Sequence, residues 1–157
     1  MEFILLSVGK VTTPWIISGL TDFEKRLSKY VRFSAKMLPD VRSSKTKSKD
    51  VIKAEEGKSI LSEISQADYV VILDEKGLEF TSAAFSKWIE KQMVSGKKRL
   101  IFIIGGPYGF SDEVYRRADS KLSLSKMTFT HEMAKLFFTE QLYRAFTILN
   151  NEPYHHD

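Results

Sequence analysis

Apolar and polar residues follow two alternating rhythms along this chain, one of period two and one of period 3.6. The run Glu2-Phe3-Ile4-Leu5-Leu6-Ser7-Val8 is a short apolar stretch stopped by Gly9, the pattern of a first strand. Thr13-Pro14 then opens a helix, because the first helical turn does not use the amide hydrogen that proline lacks. Trp15, Ile16, Leu20, Phe23 and Leu27 follow at helical spacing, to an end near Tyr30. Val31 to Leu38 alternates as a second strand with Pro39-Asp40 as its stop, and a helix is expected from about Ser48 to Ile64. Asp68 to Asp74 and Arg99 to Ile104 are almost continuously apolar, as strands covered on both faces are, and the first of them is expected to be central and parallel.

Ser82 to Val94 supplies the helix between those two strands. After Gly105-Gly106-Pro107, a short helix capped by Ser111 leads to Leu122-Ser123-Leu124-Ser125. A long helix from about His131 to Leu149 and the tail Asn150 to Asp157 complete the chain. Strands and helices alternate throughout, which predicts an α/β fold with a mostly parallel sheet between helix layers. No repeat, low-complexity segment or linker marks a boundary, so residues 1–157 are expected to form one domain.

Composition narrows the chemistry. A chain of 157 residues with 43% hydrophobic and 28% charged residues has the balance of an ordinary globular protein. It contains no cysteine, which removes disulfides, thiolate nucleophiles and thiolate metal sites and fits a reducing compartment, so a cytoplasmic location is expected. The N-terminus lacks the features of a signal peptide, and no apolar run approaches the roughly 20 residues of a spanning helix. The net charge of +4 favours a polyanionic partner without requiring one. Arg42, Lys45, Lys47, Lys49 and Lys53 fall together in a stretch otherwise rich in Ser and Thr, which reads equally well as a solvated loop or as a phosphate-contacting patch.

In an open parallel sheet, ligands bind beyond the carboxyl ends of the strands, so the candidate site is built from Leu73 to Gly77, Gly105 to Phe110 and Leu124 to Thr130. The Gly-Gly-Pro turn allows close backbone approach to a ligand, although such a turn can also merely feed the next helix. Phosphate-loop and dinucleotide signatures are missing, which counts against ATP hydrolysis and NAD chemistry. His131-Glu132 begins like a zincin motif but lacks its second histidine, so no metal site is expected. The aromatic stripe of the last helix reads as core or interface. Arg144 stands one turn from Glu140 and could pair with it or face a phosphate, while Tyr154-His155-His156 is either a frayed tail or a site tethered to a rigid helix.

Taken together, these residues resemble one known family, the bacterial large-subunit ribosomal RNA methyltransferase H group of the SPOUT class. The likeness runs from Leu6-Ser7-Val8-Gly9-Lys10 through Ile104-Gly105-Gly106-Pro107-Tyr108-Gly109-Phe110-Ser111 and Leu122 to Phe129, and on to Glu140-Gln141-Leu142-Tyr143-Arg144-Ala145 and Pro153-Tyr154-His155-His156. It implies a C-terminal deep trefoil knot, an exception to the rule that chains do not thread. It also implies a homodimer whose active site combines the knot of one subunit with elements of the other. The implied cofactor is S-adenosyl-L-methionine, met by Leu73, Gly105, Leu124, Ser125, Lys126, Met127, Thr128 and Phe129. The implied acceptor is N3 of a pseudouridine in 23S ribosomal RNA of the assembled 70S ribosome. Since the imide proton must leave, His155 is the expected base, with Tyr154 beside it over the cofactor and Arg144 stabilising negative charge on the RNA. A non-catalytic RNA-binding protein on the same fold stays open as the alternative.

Overall fold

The computed structural model describes residues 1–41 and 47–156, so Arg42 and Lys45 of the basic segment lie outside the described residues. Along the chain follow β1 (Glu2–Val8), α1 (Pro14–Leu27), β2 (Arg32–Leu38), α2 (Lys49–Ser62), β3 (Tyr69–Glu79), α3 (Ser82–Met93), β4 (Arg99–Ile104), α4 (Asp112–Arg117), β5 (Ser120–Ser123) and α5 (His131–Leu149). The five strands form one sheet in the order β2-β1-β4-β3-β5. Every pairing in it is parallel.

The two-residue period of the strands sorts their side chains onto two faces. Phe3, Leu5, Leu100, Phe102 and Ile104 point into a core shared with α1, α3 and α5. Leu6, Val8, Val70, Ile72, Ile101 and Ile103 point into the other, shared with α2 and α4. Burying each of these large side chains contributes about 1.5–3 kcal/mol, which is why the strands read as unbroken apolar runs. The closest ring pair among the described residues joins β4 to α5, where Phe102 and Phe138 have centroids 4.6 Å apart.

Helix starts follow their caps. Ser48, Thr81, Ser111 and Thr130 each accept a hydrogen bond from the amide three residues on, at Val51, Ala84, Val114 and Met133. The observed α5 spans the expected range, whereas β3 runs five residues beyond its expected end at Asp74. The reason is an irregularity in the β3–β5 ladder: Leu73 and Leu78 both align with Leu122, so Asp74 to Gly77 bulge out of the sheet before pairing resumes. Polar, turn-like residues there hid the continuation. Gly77 is required at the bulge, since a Cβ on it would lie 2.6 Å from the carbonyl carbon of Leu122.

Candidate active site

The bulge in β3, the turn after β4 and the segment after β5 meet at the carboxyl edge of the sheet and enclose a cavity of about 710 Å³. This volume is in the range of sites that hold a small organic cofactor, roughly 300–1,000 Å³. Leu73, Gly105, Leu124, Ser125, Met127, Thr128 and Phe129 line it, together with Asp74, Glu75, Lys76, Gly106, Pro107, Tyr115 and His131. Lys126 stands apart from the rest of its stretch: it is not in the wall, and its exposed ammonium lies 3.8 Å from Glu79.

Two features give the wall its chemistry. Apolar side chains of Leu73, Leu124, Met127 and Phe129 offer surfaces that can enclose a flat heterocycle, and the Gly105-Gly106 turn presents bare backbone. A Cβ at Gly105 would fall 2.9 Å from the Phe110 ring, and one at Gly106 would fall 2.4 Å from Glu56 Oε2, so a side chain at either position would force its neighbour to move. The wall also carries a carboxylate–phenol pair that sequence reasoning missed. Tyr115 donates its hydroxyl to Asp74 Oδ2 at 2.5 Å, while Asp74 Oδ1 accepts from the Lys76 amide at 2.8 Å. Burial first, and the hydrogen bond to Asp74 second, push the Tyr115 phenol up to about 12, so it remains a donor at neutral pH.

The helix side of the cavity is held from below. Glu132 accepts hydrogen bonds from the Thr12 amide and hydroxyl and from the Thr13 amide; the Thr13 hydroxyl first, and then these bonds, hold its carboxyl down at about 2. One turn on, the buried Lys135 donates to the Gly9 carbonyl at 2.6 Å, and burial pushes its ammonium down to about 8. These bonds fasten the β1–α1 connection to the first turns of α5, from which His131 and Ala134 reach the cavity wall.

Arg144, Tyr154 and His155 are brought together, but none of them lines this cavity. Arg144 forms a charge-assisted bond to Glu140 Oε1 at 2.5 Å and stacks over the Tyr154 ring at 4.8 Å. Its Nη1 lies 3.4 Å from His155 Nδ1. A guanidinium cannot accept, so in this contact Nδ1 is the acceptor and the neutral imidazole carries its proton on Nε2. Tyr154 donates to Glu140 Oε1 at 3.0 Å and packs edge-on against Tyr143. Burial and then Glu140 push the Tyr154 phenol up to about 12. The spacing of Glu140 and Arg144 had offered either an ion pair or a phosphate contact, and within this chain the ion pair forms. The buried Nε of Arg144 has no hydrogen-bond partner.

No helix among the described residues is long and apolar enough to cross a membrane. Among the same residues, no group of three or more His, Asp or Glu could hold a metal ion.

Comparison with known proteins gives this geometry a family. A family model described as "Predicted SPOUT methyltransferase" matches residues 1–155. The chain is 53% identical over 156 residues to a protein of Christiangramia forsetii named ribosomal RNA large subunit methyltransferase H, with 99% of each chain covered. Proteins of the same name are 48% identical in Parabacteroides distasonis, with both chains fully covered, and 48% identical in Flavobacterium johnsoniae, with 99% of each covered. A backbone-lined cavity at the carboxyl edge of an all-parallel sheet thus coincides with full-length likeness, and the chain belongs to the ribosomal RNA large subunit methyltransferase H family of SPOUT methyltransferases.

Proposed function

We propose that this chain methylates 23S ribosomal RNA, using S-adenosyl-L-methionine held in the cavity, and that its acceptor is N3 of a pseudouridine in the assembled 70S ribosome. The observation that carries the reading is the convergence of Leu73, the Gly105-Gly106 turn and the Leu124 to Phe129 stretch on one cavity, in a chain whose full-length relatives are named for methyl transfer to large-subunit RNA. When bound there, the cofactor supplies an electrophilic methyl group on a sulfonium. The apolar wall residues would enclose its adenine, and the backbone of Gly105, Gly106 and the Leu124 to Phe129 stretch would read its polar edge.

What the chain itself contributes is positioning and charge. Transfer to a ring nitrogen needs in-line approach, so holding acceptor and donor together supplies most of the rate. The imide proton must also leave, and the negative charge it leaves behind must be stabilised. Arg144, partly buried and pre-oriented by Glu140 and Tyr154, is suited to that charge. His155 is the titratable group beside it; to take the proton through Nδ1 it must first release Arg144. Tyr154, protonated at neutral pH, serves as a donor rather than a base.

The arrangement supports a homodimer with composite sites. The Arg144–Tyr154–His155 cluster stands outside the cavity of its own chain, and exposed apolar side chains, among them Trp15, Met127 and the Phe129–Phe137 ring pair, lie on the surface near the cavity rim and on α1 and α5. The family's trefoil knot, with α5 threaded through a loop of the sheet region, and a cytoplasmic location beside the ribosome belong to the same reading.

The test is transfer of labelled methyl from S-adenosylmethionine to purified 70S ribosomes, with isolated subunits and naked large-subunit RNA in parallel. Label in large-subunit RNA of 70S particles alone is the expected result. Cofactor binding without label in any acceptor would instead support a non-catalytic RNA-binding protein.

A further inference from the structure

A buried carboxyl with no part in the chemistry above lies directly against the cofactor turn. Glu56, in the middle of α2, is 3% exposed, and its Oε2 has no hydrogen-bond partner. Burial raises its pKa, a backbone hydrogen bond from Val41 lowers it, and the nearby Asp40 charge raises it again. Keeping a desolvated, half-satisfied carboxyl in an apolar layer is costly, and natural chains retain such groups where they set something other groups cannot.

Glu56 touches Gly106, so closely that a Cβ there would meet Oε2 at 2.4 Å and Cδ at 2.9 Å. Contacts on either side of it extend the same line. Lys49, at the start of α2, lies 5.5 Å from the Tyr108 ring centroid, and a Cβ on Gly57 would fall 2.3 Å from Ser111 Oγ. The helix therefore runs along the whole turn from Gly105 to Ser111. Its carboxyl also reaches Val41, which immediately precedes residues 42–46, while Lys47 and Lys49 follow them.

We propose that Glu56 is a positioning residue of the methyltransferase: its carboxyl sets the backbone of Gly106 in the cavity wall and ties that turn, through α2, to Val41. The inference rests on the reading of the cavity as the S-adenosylmethionine site. A carboxyl suits the task because it can hold the Val41 amide while its second oxygen fills the space that a Cβ on Gly106 would need, which an apolar side chain of the same length cannot do.

The contact makes a specific demand on paired substitutions. In the native background, Glu56→Ala frees the turn and weakens cofactor binding, by about tenfold, whereas Glu56→Gln preserves shape and the acceptor for Val41 and stays within about threefold. Gly106→Ala drives a methyl group into the carboxyl and weakens binding further. Removing the obstacle then has the opposite sign: Glu56→Ala in the Gly106→Ala protein recovers affinity. Glu56→Asp, which withdraws the carboxyl while keeping its charge, recovers it partly and serves if the alanine double variant folds poorly.

The experiment is calorimetric titration of each purified variant with S-adenosylmethionine, together with KM for S-adenosylmethionine and kcat on 70S ribosomes. The expected result is this reversal of sign, with Glu56→Ala raising KM and leaving kcat within about twofold. Losses that merely add, or a Glu56→Ala protein that melts lower yet binds as the wild type does, would overturn the inference. A wild-type protein that takes up no S-adenosylmethionine would remove the cofactor reading itself, which is a different failure.

Discussion

The cavity and the C-terminal cluster solve opposite problems with opposite materials. In the cavity, glycine backbone and apolar side chains make much of a shaped wall, and its carboxylate–phenol pair, Asp74 with Tyr115, is satisfied internally. In the cluster, Glu140, Arg144, Tyr154 and His155 are bound to one another through charged side chains, with the Arg144 Nε left over. A wall of backbone tolerates no added atoms but is indifferent to charge. A network of side chains tolerates changes of shape poorly and changes of charge worse. The first suits holding a cofactor, the second managing a proton and an anion.

The sharpest way to separate the two regions is Arg144→Lys. Lysine keeps the charge but loses the planar fork that pairs with Glu140 and stacks on Tyr154. Methyl transfer should fall by about 10²–10³, the usual loss for one pre-organised charge-stabilising donor, while S-adenosylmethionine affinity measured by calorimetry stays within about twofold. His155→Ala should show the same split at smaller size, lowering single-turnover rate more than affinity; an unchanged rate would take His155 out of the mechanism. Parallel losses of rate and affinity in Arg144→Lys would mean that the cluster helps to build the cofactor site.

On the cavity side the matching change is Gly77→Ala. The added methyl group has backbone of Lys121 and Leu122 within 2.8 Å, which cannot rotate away. Unfolding in urea should show a loss of about 2–3 kcal/mol, the upper range for overpacking, with cofactor affinity falling alongside it. Retained stability and affinity would show that the β3 bulge can shift without harm.

Lys135 tests the platform under both regions through pH. Its ammonium titrates near 8 in the folded chain against an ordinary value of 10.5. Between those values the unfolded chain binds the extra proton, so this group makes stability rise with pH, by at most about 1.4 kcal/mol per pH unit. Tyr30, Tyr115 and Tyr154, with raised pKa values, act in the opposite direction only above their ordinary value of 10.0. Urea midpoints from pH 8 to 10 should therefore climb more in the wild type than in Lys135→Met; superimposable profiles would show that the lysine titrates normally.

Much of this was legible in the sequence because the rules behind it are local. Apolar runs marked β3 and β4, helical spacing of apolar residues marked α5, and the carboxyl-edge rule placed Leu73, Gly105 and Leu124 around one site. Alternating strands and helices predicted a mostly parallel sheet, and every pairing among the described strands is parallel. What stayed hidden depends on contacts between distant segments. The bulge at Asp74 to Gly77 looks like a terminal turn until Leu78 is seen to pair again with Leu122. Glu56 and Lys135 look like surface charges, although a signal existed: Glu56 falls midway between the buried Ile52 and Ile60, and Lys135 precedes the buried Phe138 and Leu142 at helical spacing. A charge on a buried stripe deserves the same scrutiny as a histidine in a cleft.

The smallest expected effect concerns the basic segment, and its size follows from partners already in place. Lys47 pairs with Glu55 at 2.7 Å, Lys53 with Asp50 at 3.4 Å, and Lys49 lies over Tyr108. Exposed pairs of this kind are worth less than about 1 kcal/mol and yield readily to a polyanion, so the lysines can exchange these partners for phosphates at little cost. Each phosphate contact contributes a slope of about −0.9 in log affinity against log salt for duplex nucleic acid, less for single strands. Replacing Lys47 and Lys49 by glutamine should therefore flatten the salt dependence of ribosome binding by one to two contacts, about 1–2 in that slope, while S-adenosylmethionine affinity moves little. An unchanged slope would leave these lysines as a solvated face whose charges serve Glu55 and Tyr108 alone, and RNA contact would then have to come from elsewhere on the basic surface.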